Sequence, residues 1–129
     1  FTGISTKESV ELIIKAKAEG LAVTADVYLH NLVYNEKEVL GFDSAFKVMP
    51  PLRSEDDRLA LIQGIKDGTI DCICSDHTPE DIENKEVEFD HAAFGMIGLQ
   101  AFFCLINQKY LIKKWELAVA MFLFYLKKN

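Results

Sequence analysis

Paired cysteines, basic blocks, flexible linkers and long apolar runs are all scarce in this 129-residue chain. Each scarcity excludes something. The three cysteines, Cys72, Cys74 and Cys104, are odd in number and none stands in C-x-x-C spacing. That excludes a disulfide framework and a zinc knuckle, and it fits a reducing, cytoplasmic setting. Lys and Arg together number 14 against 20 Asp and Glu, a net charge of −6, with no arginine-rich or aromatic-interleaved basic stretch. A nucleic-acid partner is therefore not expected. The longest apolar run, Leu117 to Leu126 (LAVAMFLFYL), falls short of the roughly 20 residues a membrane-spanning helix needs. It is apolar on every face, so it reads as a buried terminal helix, the favoured reading, or as a partner- or membrane-facing one. No secretory signal can be read. The chain opens on Phe1 rather than Met, inside what looks like the end of a strand, and so reads as processed or as part of something longer.

What is present is a rhythm, and half of the residues are apolar, enough for a core. In STKESVELIIKAKAEG, Ser5 and Glu8 have capping-box spacing, Val10, Ile13, Ile14 and Ala18 share a helical face, and Gly20 stops the helix. The segment Leu21 to Leu29, LAVTADVYL, is β-branched and short, and predicts a strand. PPLRSEDDRLALIQGIKDG then restarts the cycle: Pro50 and Pro51 block helix, Ser54 caps, Leu59, Ile62 and Ile65 form the buried stripe, and Gly68 ends it. TIDCICSD is a second complete strand, and Phe1 to Thr6 the tail of a third. Helix, turn, strand, repeated, is the grammar of a β/α fold with a parallel sheet. After Asp76 a polar loop precedes a helix over about 95–107 and then the terminal helix.

Chemistry in such folds gathers at the carboxyl ends of the strands. There the sequence puts Gly3-Ile4-Ser5-Thr6, His30-Asn31 and Asp76-His77 on one face. Asp76 suits a metal ligand or general base; the plain alternative is a carboxylate that orders its loop. His30 suits a ligand, though a lone histidine at a strand end is more often structural. His77 suits proton transfer, yet one step beyond Asp76 it points the other way on extended backbone. His91 reads as solvated in an acidic loop. Cys72 and Cys74 share a strand face and read as small packing residues, with no positive neighbour to activate a thiolate. Lys47 and Arg53 flank VMPPL and suit an anionic substrate or a surface ion pair. EDIENKEVEFDH reads as a solvated loop or a lid.

Taken together, ISTKESVELIIKAKAEGLAVTADV, FKVMPPLRSEDDRLALIQGIKDGTIDCICSDHTPE and FGMIGLQ resemble the carboxyl half of dihydroorotase, of the amidohydrolase superfamily, over about 3–105. The resemblance implies the carboxyl-terminal portion of a TIM (β/α)8 barrel over 1–109, followed by an apolar terminal helix over 110–129. It also implies zinc at the strand ends and the reversible cyclisation of N-carbamoyl-L-aspartate to dihydroorotate. A whole barrel takes roughly 250 residues, so 129 hold only its last strands.

The site motifs depart from the family pattern. Gly3 in GIST stands where the family has a metal-binding histidine. Met49 stands where K-V-N-P-P-L-R has a polar substrate contact. DHTPE keeps Asp76 but puts Glu80 at the position of a substrate-binding histidine. DVYLHNL keeps His30 of the family's E-V-T-P-H-H-L and loses its neighbour. Glycine cannot coordinate, methionine holds an anion poorly, and glutamate repels a carboxylate. The resemblance thus leaves Asp76 as the surviving catalytic and metal position. It implies a catalytically impaired or silent relative, which as a homo-oligomer or beside a missing amino-terminal half serves as scaffold. The alternative is a zinc-dependent cyclic amidase once that half completes it.

Overall fold

The computed structural model describes residues 1–100 together with Phe102 and Leu105. Helix α1 spans Lys7–Ala18. Thr6, not Ser5, caps it, its hydroxyl oxygen accepting from the Ser9 N–H at 3.2 Å. That one-residue shift puts Ser9 rather than Glu8 at the third helical position, so the expected capping box does not form. At the other end the N–H groups of Gly20 and Leu21 return to the carbonyls of Lys17 and Ala16, both at 3.1 Å. This closure needs the left-handed backbone that Gly20 supplies at φ +79°.

Strand β1 is Asp26–Tyr28 and strand β2 is Cys72–Cys74. They pair in parallel, Asp26 opposite Cys72, Val27 opposite Ile73 and Tyr28 opposite Cys74. The strand expected over Leu21 to Leu29 is therefore much shorter: only three residues find a ladder partner, and Leu29 already opens helix α2, Leu29–Val33. The anticipated third strand is reduced to three backbone bonds, the first from the Phe1 amino group to the Thr24 carbonyl at 2.7 Å. Asp26 N–H donates to the Phe1 carbonyl and Ile4 N–H to the Asp26 carbonyl, both at 3.0 Å. That bracket is one residue wider than a regular parallel bridge, and Gly3, at φ +64°, is the residue it accommodates.

Helix α3, Glu55–Asp67, is capped by Ser54, carries Glu55, Asp56 and Asp57 in its first turn, and ends on left-handed Gly68. Those acids complement the positive end of the helix dipole. Its buried face is Leu61, Ile62, Gly64 and Ile65, whereas Leu59 is 51% exposed. The face is set by close approach at Gly64, where a Cβ would lie 3.1 Å from Ile70 Cδ1 and 3.2 Å from Val10 Cγ1. Leu59 lies nearly half a turn round from Leu61 and cannot share that face. Likewise α1 buries Val10 and Ile13, while Ile14 and Ala18 are exposed.

Because strand side chains alternate, Val27 and Ile73 point to the helices and join a core with Ile4, Val10, Ile13, Leu32, Leu61 and Ile70. Asp26, Tyr28, Cys72 and Cys74 line the opposite face of the sheet. The connection from α2 to α3 contains 3-10 turns at Glu36–Gly41 and Ser44–Phe46, and the loop after Asp76 contains the short helix α4, Ile82–Lys85. The helix expected over about 95–107 begins at Leu99; its remainder, and the apolar helix expected over 110–129, lie outside the described residues. No helix among the described residues is long and apolar enough to cross a membrane.

Candidate active site

The ends of β1 and β2 bring two of the anticipated residues together. His30, buried in the first turn of α2, turns Nδ1 toward Asp76 Oδ2 at 3.9 Å, just past the end of β2. Burial holds the His30 imidazole below its ordinary pKa, with the Asp76 carboxylate pulling the other way. Its Nε2 is buried without a hydrogen-bond partner. Asp76 adopts φ +45°, a left-handed backbone uncommon outside glycine, asparagine and aspartate. Asn31, beside His30, donates to the Pro51 carbonyl at 3.3 Å.

Gly3 completes this rim only with its backbone. A Cβ built there would lie 2.8 Å from Tyr28 Cζ and 2.9 Å from Cε2. The Tyr28 ring, edge-on to His30 with centroids 5.7 Å apart, fills the space that a side chain at position 3 would enter. Sequence reading singled out Gly3 and missed Tyr28, although both lie in quoted motifs; a glycine and a bulky ring at facing strand ends is the signal that could have been read.

His77 has the structural role. Its Nδ1 accepts from the Gly98 and Leu99 N–H groups, both at 3.3 Å, and pins the start of the following helix. FGMIGLQ packs its backbone on the Asp76 loop: His77 bridges Met96, and the Thr78 N–H donates to the Met96 carbonyl at 3.1 Å. A Cβ at Gly95 would collide with the Thr78 carbonyl oxygen, and one at Gly98 with that of Ser75. The two glycines three residues apart were the sequence signal for this buttress.

The remaining candidates stand apart from the His30–Asp76 pair. Arg53 is exposed, and the Lys47 ammonium lies over the rings of Phe89 and Phe94, 5.5 and 4.8 Å from their centroids, and donates to the Asp90 carbonyl. Met49 is 59% exposed, and Glu80 is exposed. His91 is solvated beside Glu88 and Asp90, as expected. EDIENKEVEFDH is fastened rather than loose: Lys85 Nζ donates to the Ala93 and Gly95 carbonyls at 3.0 Å each, and its own carbonyl accepts from the Ser44 hydroxyl. Partial burial pulls the pKa of that lysine down.

Cys72 and Cys74 do not pack as small core residues. Cys72 is exposed, Cys74 half-buried, and both lie with Asp26 on the sheet face away from the helices. Burial and then the Asp26 charge raise both thiols, Cys74 to about 11. As the sequence suggested, nothing here activates a thiolate.

No protein-family model matches the chain. Curated relatives do. The dihydroorotase of Thermoanaerobacter sp. (strain X514) is 44% identical over 126 residues, which is 98% of this chain and 29% of that protein. The dihydroorotase of Caldicellulosiruptor saccharolyticus is 50% identical over 113 residues, 88% of this chain and 26% of that protein. Among solved structures, the L-hydantoinase (dihydropyrimidinase) of Arthrobacter aurescens superimposes with a TM-score of 0.79 at 26% identity, covering 85% of this chain and 25% of that one. The dihydroorotase of Saccharomyces cerevisiae, solved with 5-fluoroorotic acid, gives 0.67 at 17% identity, covering 84% of this chain and 32% of that one, a likeness of fold. The two parallel strands with helices on one side are a sector of the TIM-barrel wall. By sequence and backbone together the chain is similar to one part of the dihydroorotases and of related amidohydrolases, spanning little more than a quarter of the length of the curated relatives it matches.

Proposed function

We propose that this chain is the carboxyl-terminal sector of a dihydroorotase-like barrel whose hydrolytic rim has been dismantled, so that cyclisation of N-carbamoyl-L-aspartate is impaired or absent in it. One observation carries the reading: Gly3 has no side chain, and the Tyr28 ring occupies the space such a side chain would need. A catalytic zinc takes three protein ligands and an open position. At the strand ends Asp76 and His30 offer donor atoms that face each other at 3.9 Å, and among the described residues neither belongs to a group of three potential metal ligands. This donor set does not fit a catalytic zinc by itself. Exposed Met49 and Glu80 support the same reading, since neither suits the substrate carboxylate. In this reading the chain is cytoplasmic and acts as a barrel scaffold, associated with a second copy or with an amino-terminal half.

The test is elemental analysis of the purified chain carrying Cys72→Ser, Cys74→Ser and His91→Ala, which removes donors from the two other groups able to hold a metal ion, together with an assay of ring closure. The expected result is zinc well below one per chain and no ring closure. About one tightly held zinc per chain, with turnover, would establish the alternative reading, an active cyclic amidase, which the retained His30–Asp76 pair favours.

A further inference from the structure

The face of the sheet turned away from the described helices holds a second group of donor atoms that uses neither Asp76 nor His30. We propose that Asp26, Cys72 and Cys74 form a binding site for one thiophilic divalent cation of the zinc and cadmium class. The Sγ atoms of both cysteines and a carboxylate oxygen of Asp26 all lie within 4.8 Å of one another. The sheet itself produces this convergence. Cys72 and Cys74 are two apart on one strand, so they share a face, and Asp26 stands opposite Cys72 in the ladder. A tetrahedral zinc with bonds of about 2.3 Å to sulfur separates its ligand atoms by about 3.8 Å. Closing the group around a cation therefore takes about 1 Å of side-chain adjustment and no change of backbone.

The same geometry argues against a disulfide between these cysteines. Two residues apart along a strand, their Cα atoms are about 6.6 Å from each other, near the upper limit that a disulfide spans. A cation bridges that separation without strain. The Asp26 carboxylate is already oriented, since its Oδ1 accepts from the Gly3 N–H at 2.7 Å. Such a hydrogen bond behind a ligand fixes its direction and tightens metal binding. Cys72 is exposed and provides the entry path. Three protein donors leave a fourth position for water or a small ligand. Two sulfurs and one oxygen select zinc-like cations over magnesium and calcium. Without a cation the protonated Cys74 thiol hydrogen-bonds to the Asp26 carboxylate, and a divalent cation binds there by displacing thiol protons.

The test uses the full chain in a Cys104→Ser background, kept reduced with a phosphine, titrated with Cd2+ and followed by sulfur-to-metal charge-transfer absorption. The expected result is saturation at one Cd2+ per chain, no response to Mg2+, loss of the band in Cys74→Ser and in Cys72→Ser, and affinity about tenfold or more weaker in Asp26→Asn. Cys72 is exposed, so its serine variant keeps the test valid if Cys74→Ser fails to fold. Bound Cd2+ also protects Cys72 from alkylation, read by mass spectrometry of the peptide. Absence of a saturable band, or a band undiminished in the Cys72→Ser/Cys74→Ser chain, overturns the proposal. The outcome is separate from that for the rim: zinc lost with the two cysteines belongs to this site, and zinc retained without them but unaffected by His91→Ala, which removes a ligand from the exposed Glu88, Asp90 and His91 group, belongs to the rim.

Discussion

At Gly3 a missing side chain and a present one explain each other. Restoring a histidine there does not restore a ligand, because its Cβ would meet the Tyr28 ring at 2.8 Å on a backbone held at φ +64°. Gly3→His is expected to cost about 1–3 kcal/mol in urea unfolding. Much of that cost should vanish in a Tyr28→Ala background, since residues in contact couple. Strictly additive losses would show that the ring is not the obstacle. Gly98→Ala sets the Asp76 loop in the same way: the new methyl meets the Ser75 carbonyl, and a destabilisation of about 1–3 kcal/mol is expected, read by the same unfolding measurement. The candidate site was legible in sequence wherever chemistry depends on residue type, as at Gly3, His30 and Asp76. It was not legible where it depends on who faces whom. That Tyr28 fills the place beside Gly3, and that Asp26 meets two cysteines, follows from ladder register, which a strand sequence of three residues does not specify.

Among the described elements, the two long helices, two of the three expected strands and their parallel order could be read from periodicity and caps, but the buried faces could not. Leu59, Ile62 and Ile65 fit a helical stripe as well as Leu61, Ile62 and Ile65 do. The choice is made by the contact of α3 with α1 and Ile70 at Gly64. Leu61→Ala is therefore expected to cost about 2–5 kcal/mol, and Leu59→Ala within about 0.5 kcal/mol of nothing, in thermal or urea unfolding. Equal losses would mean that the helix is rotated from its described position. The strands were overestimated in length because apolar, β-branched residues satisfy the pattern even where no neighbour offers a hydrogen bond.

Asp71 holds α1 to the sheet. It pairs with Lys17 Nζ at 3.0 Å and accepts from the Ala25 N–H at 2.8 Å. Partial burial works to raise its pKa, but the Ala25 and Lys17 hydrogen bonds outweigh this and hold it below the ordinary value. A carboxyl depressed by folding stabilises above the unfolded value, about pH 3.9, and that contribution is lost as pH falls through the lower folded value. Melting temperature should therefore fall between about pH 5 and pH 2, and fall less in Asp71→Asn. A decline of equal size in the variant would remove Asp71 from the account.

At the scale of the whole molecule, the decisive feature is a sheet that the described residues cover on one side. Val27 and Ile73 are packed under the helices, whereas Asp26, Tyr28, Cys72 and Cys74 face away from them. In a closed barrel that face meets other strands, but two strands alone make neither a closed wall nor an independently stable sheet. The chain also exposes Phe1, Leu12 and Leu21 at 74%, 67% and 55%. The matched relatives are more than three times as long, this chain spanning 26–29% of them, so surfaces buried in a complete barrel have no cover within the described residues. The expected consequence is association, with a second copy or with the rest of a barrel. Multi-angle light scattering of the isolated chain should give a mass at least twice 14.6 kDa. A compact monomer at that mass, with cooperative unfolding, would mean that the chain covers its own open face, and the scaffold reading would lose the incomplete surface on which its need for a partner rests.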